Sequence, residues 1–251
     1  AGSSFSEMVG GMGYFFMIAL PVTALFGLLI IPDNQKTEGT SFPKLSDLPL
    51  ILKDNRPLVR TLLIEFLCSS ASSISAVTYI YLAKYVFDLE DISSRILFLY
   101  FFAGLLVMPI WMKVSYLIGK SRTLLISTIL CSLTLATYLF IDTNDALSTL
   151  ITLTIFYGIG YGAPFTLTRA LMADIVDADE LRSDKKRPGL FYSILTTFSK
   201  VGAAIAVGLV YTYLEFKGFK PDQIASDKIK EILLFVFAFI PMILYFCATL
   251  F

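Results

Sequence analysis

The side chains most able to do chemistry in this sequence are charged groups inside apolar stretches. Lys200 lies about ten residues into a stretch that begins near Leu190. In a membrane-spanning helix with a rise of about 1.5 Å per residue it sits about 15 Å deep, near the middle of a ~30 Å hydrocarbon core. A lysine there costs about 2.5–3.5 kcal/mol, so we expect it to face the bundle interior or a wet cavity.

A polar stripe accompanies this lysine. Tyr192, Thr196 and Lys200 recur every fourth residue and share one face of the predicted helix. Ionisable groups inside a membrane usually mark substrate or ion sites, so we interpret the stripe as part of such a site. The alternative is a structural lysine paired with a buried acid. Glu65, the one carboxylate well inside another apolar stretch, could pair with Lys200 or with a basic residue nearer the cytoplasm, or it could cap a polar helix end.

A dense cluster of mixed charge runs from Asp174 to Arg187. Asp174, Asp177 and Asp179 could mimic the Mg²⁺-diphosphate cluster of a membrane enzyme, because Mg²⁺ prefers carboxylate and phosphate oxygens. Such an enzyme needs a second acidic motif on a facing helix, and the other acids on that side are scattered. The basic residues that directly follow the acids favour salt bridges. We therefore predict neither a metal site nor an enzyme, and keep the membrane enzyme as an alternative.

Two further stretches combine small, polar and aromatic residues. "CSSASSISAVTYIY", residues 68–81, carries hydroxyls that pack between helices or line a cavity for a polyhydroxy solute. "YGIGYGAPF", residues 157–165, predicts a helix that is weakened or kinked at mid-depth. A broken helix is a known feature of transporter binding sites. Within it, Tyr161 and Phe165 add aromatic surface to the predicted cavity.

The composition is that of a polytopic membrane protein. Of the 251 residues, 56% are hydrophobic and 16% are charged, whereas a soluble domain carries roughly 25% charged residues. The formal net charge is zero, so nucleic acid is not an expected partner. The absence of histidine from the sequence excludes His-ligated metals and Ser-His or Cys-His catalysis.

Seven apolar segments are long enough to cross a bilayer core, which takes about 20 helical residues. They are residues 9–31, 57–85, 94–117, 122–141, 147–172, 190–213 and 230–251. Their uninterrupted length favours helices over barrel strands, which alternate polar and apolar residues over about ten positions. We therefore predict an all-α integral membrane protein with about seven transmembrane helices in a lipid bilayer.

The loops between these segments alternate in basic charge. Most of the 20 basic residues lie in or beside one set of loops, residues 32–56, 113–122 and 173–189. Fewer lie in the other set, residues 86–93, 142–146 and 214–229. The positive-inside rule assigns the first set to the cytoplasm, with the N-terminus outside and the C-terminus inside. We expect a multi-pass protein of the cell's inner, or cytoplasmic, membrane.

Seven spans that start outside are typical of the last seven helices of a twelve-helix transporter, in which two halves enclose a substrate site. Residues 1–31 then form the last helix of the N-terminal half, 32–56 the central cytoplasmic linker and 57–251 the C-terminal six-helix half. Because both ends of the chain look like cuts, we expect it to be a C-terminal fragment that works with missing N-terminal helices. A non-transporting gene fragment is the alternative.

One stretch resembles a known family. Residues 173–206, "ADIVDADELRSDKKRPGLFYSILTTFSKVGAAIA", resemble the helix 10 to helix 11 region of the glycoside-pentoside-hexuronide:cation symporters. These form the melibiose-permease branch of the major facilitator superfamily. The resemblance rests on "ADIVD", Glu180, the basic residues 185–187, the pair Phe191-Tyr192 and the K-x-G-x-A pattern that starts at Lys200. It implies the C-terminal half of a major facilitator, helices 6–12.

The resemblance also implies roles for individual residues. Lys200 is expected at the sugar and cation sites, and Thr196 beside the sugar. Phe165 stands where the sugar permease has a tryptophan, so a melibiose-like substrate is not implied. The predicted substrate or ion cavity thus comprises Lys200, Thr196, Tyr192, Phe165, Tyr161 and Glu65. A cytoplasmic charge network that changes as the transporter changes face is expected to contain Asp174, Asp177, Glu180, Lys186 and Arg187.

The expected function is therefore cation-coupled symport of a small solute, a sugar or a glycoside, by alternating access. No cofactor is expected apart from the coupling ion, Na⁺ or H⁺. The resemblance places the family's cation-binding carboxylates in the N-terminal half, so most of the ion site is expected outside this chain.

Overall fold

The computed structural model describes residues 5–30, 48–140, 146–220 and 226–251. Within these ranges every regular element is a helix, which confirms the predicted all-α class. The chain forms two compact units, Ala1–Thr40 and Ser41–Phe251.

The first unit contains one described helix, α1, Phe5–Ile30. Its residues Gly13–Ile30 are long and apolar enough to cross a bilayer, in agreement with the predicted span 9–31. The Thr23 hydroxyl donates to the Ala19 carbonyl at 2.8 Å, which satisfies the side chain within its own helix. Residues 31–47, most of the predicted linker 32–56, lie outside the described residues.

The second unit is a bundle of long helices preceded by a short one. Its elements are α2 (Leu48–Asp54), α3 (Arg56–Tyr85), α4 (Glu90–Ile118), α5 (Lys120–Tyr138), α6 (Ala146–Ser183), α7 (Pro188–Phe216), α8 (Asp227–Leu234), a π-helical turn (Phe235–Phe239) and α9 (Ile240–Ala248). The last three elements form one continuous helical span, Asp227–Ala248.

Six helical spans in the described part of the chain are long and apolar enough to cross a membrane. They belong to α1, α3, α4, α6, α7 and the composite helix that ends with α9. The remaining predicted span, 122–141, corresponds to α5, a 19-residue helix that is less apolar because Ser and Thr occupy many of its positions. α5 nevertheless packs along α6 and α9, and its buried Ser132 hydroxyl donates to the Met242 carbonyl at 3.1 Å.

α3 is the central helix of the bundle. It packs against α7, α9 and α6, while α6 also packs along α4 and α5. Asn55 precedes α3, and its side-chain oxygen accepts a hydrogen bond from the Leu58 N–H at 3.1 Å, while Pro57 occupies the first turn. Both features are typical of helix starts. Leu58 and Leu62 are then buried in an apolar cluster with Met172 of α6.

The glycines of α6 allow close helix contact and do not interrupt the helix. α6 is continuous through Pro164 and is not broken there. A Cβ on Gly158 would clash with the Tyr100 carbonyl, and one on Gly162 would lie 2.6 Å from the Gly104 carbonyl oxygen. α4 therefore packs backbone to backbone against α6, an arrangement for which small residues are required in membrane helices.

The charged cluster lies mainly on a helix, which corrects the predicted loop 173–189. α6 extends to Ser183, well past the predicted span 147–172, and the connection to α7 is only residues 184–187. The prediction was wrong because it ended the helix where the apolar residues end. Good helix formers continue beyond that point, and charged side chains are compatible with a helix that leaves the bilayer.

The other predicted loops differ in the same way. The predicted loop 113–122 reduces to Gly119 between α4 and α5, with a φ of +92° that favours glycine. Of the loops on the opposite side, residues 86–89 connect α3 to α4, while residues 141–145 and 221–225 lie outside the described residues. Residues 142–145 of the predicted loop 142–146 and residues 221–225 of the predicted loop 214–229 are among them.

Candidate functional site

A cavity of about 210 Å³ lies between α3, α6 and α7, with a contribution from α9. We call it the lysine cavity. Four of the six predicted cavity residues line it: Glu65, Tyr161, Phe165 and Lys200. The hydroxyls of Ser69, Ser72, Ser73 and Ser199 contribute most of the remaining polar lining. The cavity therefore combines a cation, a carboxylate, hydroxyls and aromatic rings.

Lys200 lies in the middle of α7. It follows the first residue of that helix, Pro188, by 12 positions, which places it about 18 Å along the axis at about 1.5 Å per residue. Its side chain is exposed at the cavity. Among the described residues, Lys200 forms no ion pair within 4 Å, so its charge is available to a partner from elsewhere.

A tight contact between α3 and α7 fixes the helix segment that carries Lys200. The Ser69 hydroxyl donates to the Ser199 carbonyl at 2.6 Å. A Cβ on Gly202 would lie 2.8 Å from the Phe66 carbonyl oxygen, so only glycine permits this approach without a shift. The backbone at Lys200 is therefore held by α3, while its ammonium group has no ion-pair partner among the described residues.

Glu65 is buried on α3 and points toward α6. Its Oε2 lies 2.7 Å from the Thr168 hydroxyl, and its Oε1 lies 4.0 Å from Nη1 of Arg169. The side chain of Glu65 is 7% exposed and that of Arg169 is 37% exposed. The structure thus places Arg169, and not Lys200, beside this carboxylate, although both Glu65 and Lys200 line the same cavity.

Arg169 is the site residue that sequence reasoning missed. It lies near the end of the predicted span 147–172 and was not among the predicted cavity residues. In the structure its guanidinium lies 3.9 Å from the centre of the Phe165 ring, and its Nη1 donates to the Phe165 carbonyl at 2.8 Å. The four-residue spacing of Phe165 and Arg169 on one helix face was the signal that could have revealed this contact.

Thr196 and Tyr192 are not part of the lining of the lysine cavity. Both are exposed on α7, and the Thr196 hydroxyl donates to the Tyr192 carbonyl at 2.8 Å. The Tyr192 hydroxyl in turn donates to the Arg169 carbonyl at 3.3 Å. The predicted polar stripe is therefore exposed along α7, with only Lys200 inside the cavity.

The hydroxyls of residues 68–81 serve two purposes. Ser70 and Thr78 donate to carbonyls four residues earlier in α3, at 2.7 Å each. Ser75 instead accepts from the Tyr157 hydroxyl at 3.1 Å and links α3 to α6. Helix packing accounts for these three residues, while Ser72 and Ser73 line the cavity.

The charge cluster at the end of α6 is organised as separate ion pairs. Lys120 Nζ lies 2.6 Å from Asp174 Oδ1 and donates to the Ala170 carbonyl at 3.1 Å. The Arg187 guanidinium donates hydrogen bonds to both carboxylate oxygens of Asp179, at 2.7 and 2.9 Å. The Lys120–Asp174 pair joins α5 to α6, and the Arg187–Asp179 pair closes the short connection to α7.

The remaining members of the predicted network are more exposed. Lys186 Nζ lies 3.5 Å from Glu180 Oε1, and the two side chains are 77% and 40% exposed. Asp177 is exposed and makes no ion pair with any residue that the structure describes. Sequence reasoning placed Asp179 only in the metal alternative and missed it as the partner of Arg187.

Two of the three acids in the enzyme alternative are engaged in ion pairs. Asp174 and Asp179 are engaged by Lys120 and Arg187 respectively, so they do not present a shared set of free oxygens. Within the described ranges, no group of three or more His, Cys, Asp or Glu side chains is placed to hold a metal ion. The arrangement is that of a charged helix end above a polar cavity.

Comparison with known proteins identifies the family. A family model described as MFS/sugar transport protein matches residues 7–251, almost the whole chain. An uncharacterized symporter of Synechocystis sp. (strain ATCC 27184 / PCC 6803 / Kazusa) is 40% identical over 70 residues. Those residues are 28% of this chain and only 13% of that protein's length. A family of transport proteins, rather than of enzymes, agrees with the helical bundle and its polar cavity. The chain therefore belongs to the MFS/sugar transport protein family.

Proposed function

We propose that this chain is the C-terminal part of a cation-coupled symporter that moves a small solute, a sugar or a glycoside, by alternating access. Residues 1–31 belong to the N-terminal half in this proposal, 32–56 form the linker and 57–251 form the second half. Helices of the longer protein supply the opposite wall of the cavity and the carboxylates that bind Na⁺ or H⁺. The protein resides in the inner membrane of the cell.

Lys200 is the observation that carries the proposal. A lysine in the middle of a spanning helix is unfavourable unless a partner or water satisfies it. Within the described residues Lys200 has no carboxylate partner, while the nearby acid Glu65 lies beside Arg169. A carboxylate on the opposite half, or an oxygen of the solute, is therefore the natural counterpart of the ammonium group.

The remaining lining of the lysine cavity suits a polyhydroxylated solute. Ser72 and Ser73 present hydroxyls that accept and donate hydrogen bonds, and Tyr161 and Phe165 present aromatic surface. Binding sites for small molecules typically combine apolar and aromatic walls with a few polar groups that fix orientation.

The charge cluster supports alternating access on the cytoplasmic side. Exposed ion pairs are worth about 0–1 kcal/mol each, and Lys186–Glu180 is of this kind. Asp177, which has no ion-pair partner among the described residues, is free to contact the opposite half in one state. Weak pairs suit a latch that opens in every transport cycle. Arg187–Asp179, with side chains 13% and 12% exposed, holds the connection itself.

Solute uptake by the full-length protein tests the proposal. The variant Lys200→Ala should abolish accumulation of the solute against its gradient while leaving the amount of protein in the membrane unchanged. Lys217→Ala, at the end of the same helix, is the matched control and should transport normally. Normal accumulation by Lys200→Ala would overturn the assignment.

The coupling ion is measured in the same vesicles. An inward Na⁺ gradient at equal pH, and an inward H⁺ gradient without Na⁺, are imposed separately. One of the two should drive accumulation above the level of the outside solution, and Lys200→Ala should remove that drive. Uptake that only equilibrates under both gradients would contradict cation coupling and leave a uniporter.

A further inference from the structure

A second and larger cavity lies at one end of the bundle, apart from the lysine cavity. Its volume is about 550 Å³, and it is bounded by the beginnings of α3 and α5 and the ends of α6 and α9. All four helix ends lie on the side that the positive-inside rule assigns to the cytoplasm. The lining includes Arg60 of α3, Arg122 of α5 and Arg182 of α6. We call it the arginine cavity.

The three arginines are exposed, and all three line one cavity. None of them forms an ion pair within 4 Å in the part of the chain that the structure describes. The acid in the lining, Asp174, lies 2.6 Å from Lys120, so its charge is already engaged. Three exposed positive groups around one space raise the local potential and attract an anion, with water screening part of the effect. The cavity therefore has the electrostatics of an anion site.

The apolar part of the lining leads away from the arginines along α5. Leu125 lines the cavity and is 43% exposed. Ile129 and Leu133 follow it at four-residue spacing on the same helix face and are exposed as well. On a membrane-spanning helix an exposed apolar face of this kind contacts lipid chains. The charged cavity is thus continuous with a lipid-facing strip that runs toward the middle of the bilayer.

We propose that the arginine cavity binds the headgroup of an anionic phospholipid of the cytoplasmic leaflet, with an acyl chain lying along Leu125, Ile129 and Leu133. Guanidinium groups bind phosphate oxygens in a two-pronged geometry, and basic pockets between helices on the cytoplasmic side suit anionic headgroups. A soluble anion would use the arginines but not the apolar strip. The combination of the two therefore points to a lipid.

Retention of lipid by the purified full-length protein tests this proposal. The protein in detergent is mixed with equal amounts of phosphatidylglycerol and phosphatidylcholine, and bound lipid is measured by native mass spectrometry. The test variant is R60Q/R122Q/R182Q. The control is K53Q/K113Q/K185Q, which removes three exposed charges from the same end of the bundle without touching the cavity.

We expect the wild type and the control to retain phosphatidylglycerol in preference to phosphatidylcholine, and the test variant to lose that preference. A basic residue near an anionic headgroup contributes about fivefold to binding, so three arginines together contribute on the order of a hundredfold. Equal losses in both variants would show that only the general positive charge matters. No loss in either would show that the arginines are neutralised elsewhere. Both results overturn the site.

Two further measurements keep the test decisive. Inorganic phosphate at millimolar concentration should not displace phosphatidylglycerol, and complete displacement would reveal a small-anion site in place of a lipid site. If the triple variant fails to fold, the single variants R60Q, R122Q and R182Q replace it. Each should weaken phosphatidylglycerol retention about fivefold, and unchanged retention in all three overturns the proposal.

Discussion

The position of Arg169 beside Glu65 makes a measurable prediction about which cation, Arg169 or Lys200, is energetically coupled to the buried acid. The change Glu65→Gln removes the negative charge but keeps an oxygen that accepts the Thr168 hydrogen bond. The loss of stability then reports mainly the attraction between the carboxylate and the guanidinium. The structure predicts coupling to Arg169 and none to Lys200.

The magnitude follows from the distance. Two unit charges 4.0 Å apart, as between Glu65 Oε1 and Arg169 Nη1, attract by about 4 kcal/mol at an effective dielectric constant of about 20. Because the Arg169 side chain is 37% exposed, water screens part of this attraction. Water also solvates the guanidinium in the Glu65→Gln variant, so the unpaired arginine lowers the stability only slightly. We expect a coupling energy of about 1–2 kcal/mol, below the calculated attraction but above that of a surface pair.

A double-mutant cycle measures this coupling. Glu65→Gln, Arg169→Gln and the double variant are compared with the wild type in the thermal unfolding midpoint of the detergent-purified protein. A coupling of 1–2 kcal/mol corresponds to a non-additive shift of about 2–8 °C in a protein of this size. The matched control is the cycle of Glu65→Gln with Lys200→Gln, which should be additive because no ion pair joins the two residues.

The opposite pattern would refute the reasoning. If the cycle with Lys200 were non-additive and the cycle with Arg169 additive, the carboxylate would belong to the lysine, as one interpretation of the sequence suggested. Additivity in both cycles would show that Glu65 is held by its hydrogen bond from Thr168 alone. In that case the Glu65–Arg169 ion pair would contribute no measurable free energy to stability.

Two contrasts test the packing and the charge cluster. Gly158→Ala should destabilise the protein by about 1–3 kcal/mol, because the added Cβ clashes with the Tyr100 carbonyl. Gly208→Ala is the control: no atom lies within 4 Å of its added Cβ, so it should be neutral or stabilising by up to about 1 kcal/mol. Equal unfolding midpoints of the two variants would contradict the α4–α6 contact. Arg187→Ala should lower the free energy of unfolding by about 2–3 kcal/mol, because it leaves the largely buried Asp179 carboxylate unpaired. Lys186→Ala should lower it by less than about 1 kcal/mol, because the Lys186–Glu180 pair is exposed. Thermal unfolding of both variants measures the difference, and similar losses of stability would contradict the difference in burial.

The sequence predicted the helices well and their ends poorly. Long apolar runs reveal spanning helices because a bilayer core requires about 20 apolar residues. The same signal stops where the apolar residues stop, so it ended α6 too early at residue 172. Ala, Leu, Glu and Arg, which occur in this stretch, are good helix formers, and only the three-dimensional course of the chain shows that Asp174 to Ser183 continue the helix.

Four of the six predicted cavity residues line one space, on α3, α6 and α7, while the pairing of their charges was not predictable. Glu65, Tyr161, Phe165 and Lys200 converge on one space, but no sequence pattern indicates which cation lies beside which acid. Pairing depends on the rotation of each helix about its axis and on the distance between helices. Arg169 faces Glu65 because α6 packs against α3 at that level.

The glycines of α6 show the same limit. Their number and spacing are compatible with a broken helix and also with close packing against a neighbouring helix. The structure distinguishes the two, because the carbonyls of α4 occupy the space where Cβ atoms would be. A glycine's role depends on what lies next to it, which the sequence does not contain.

Composition and hydropathy by themselves determined that this protein is a helical membrane bundle, because water and lipid sort residues by polarity whatever the detailed fold. The mid-helix position of Lys200 also followed from counting residues. Only the tertiary structure decided that Glu65 lies beside Arg169, that Arg187 binds Asp179, and that three arginines from three helices line one cavity. These facts concern contacts between residues far apart in the chain, and they arise from how the helices pack.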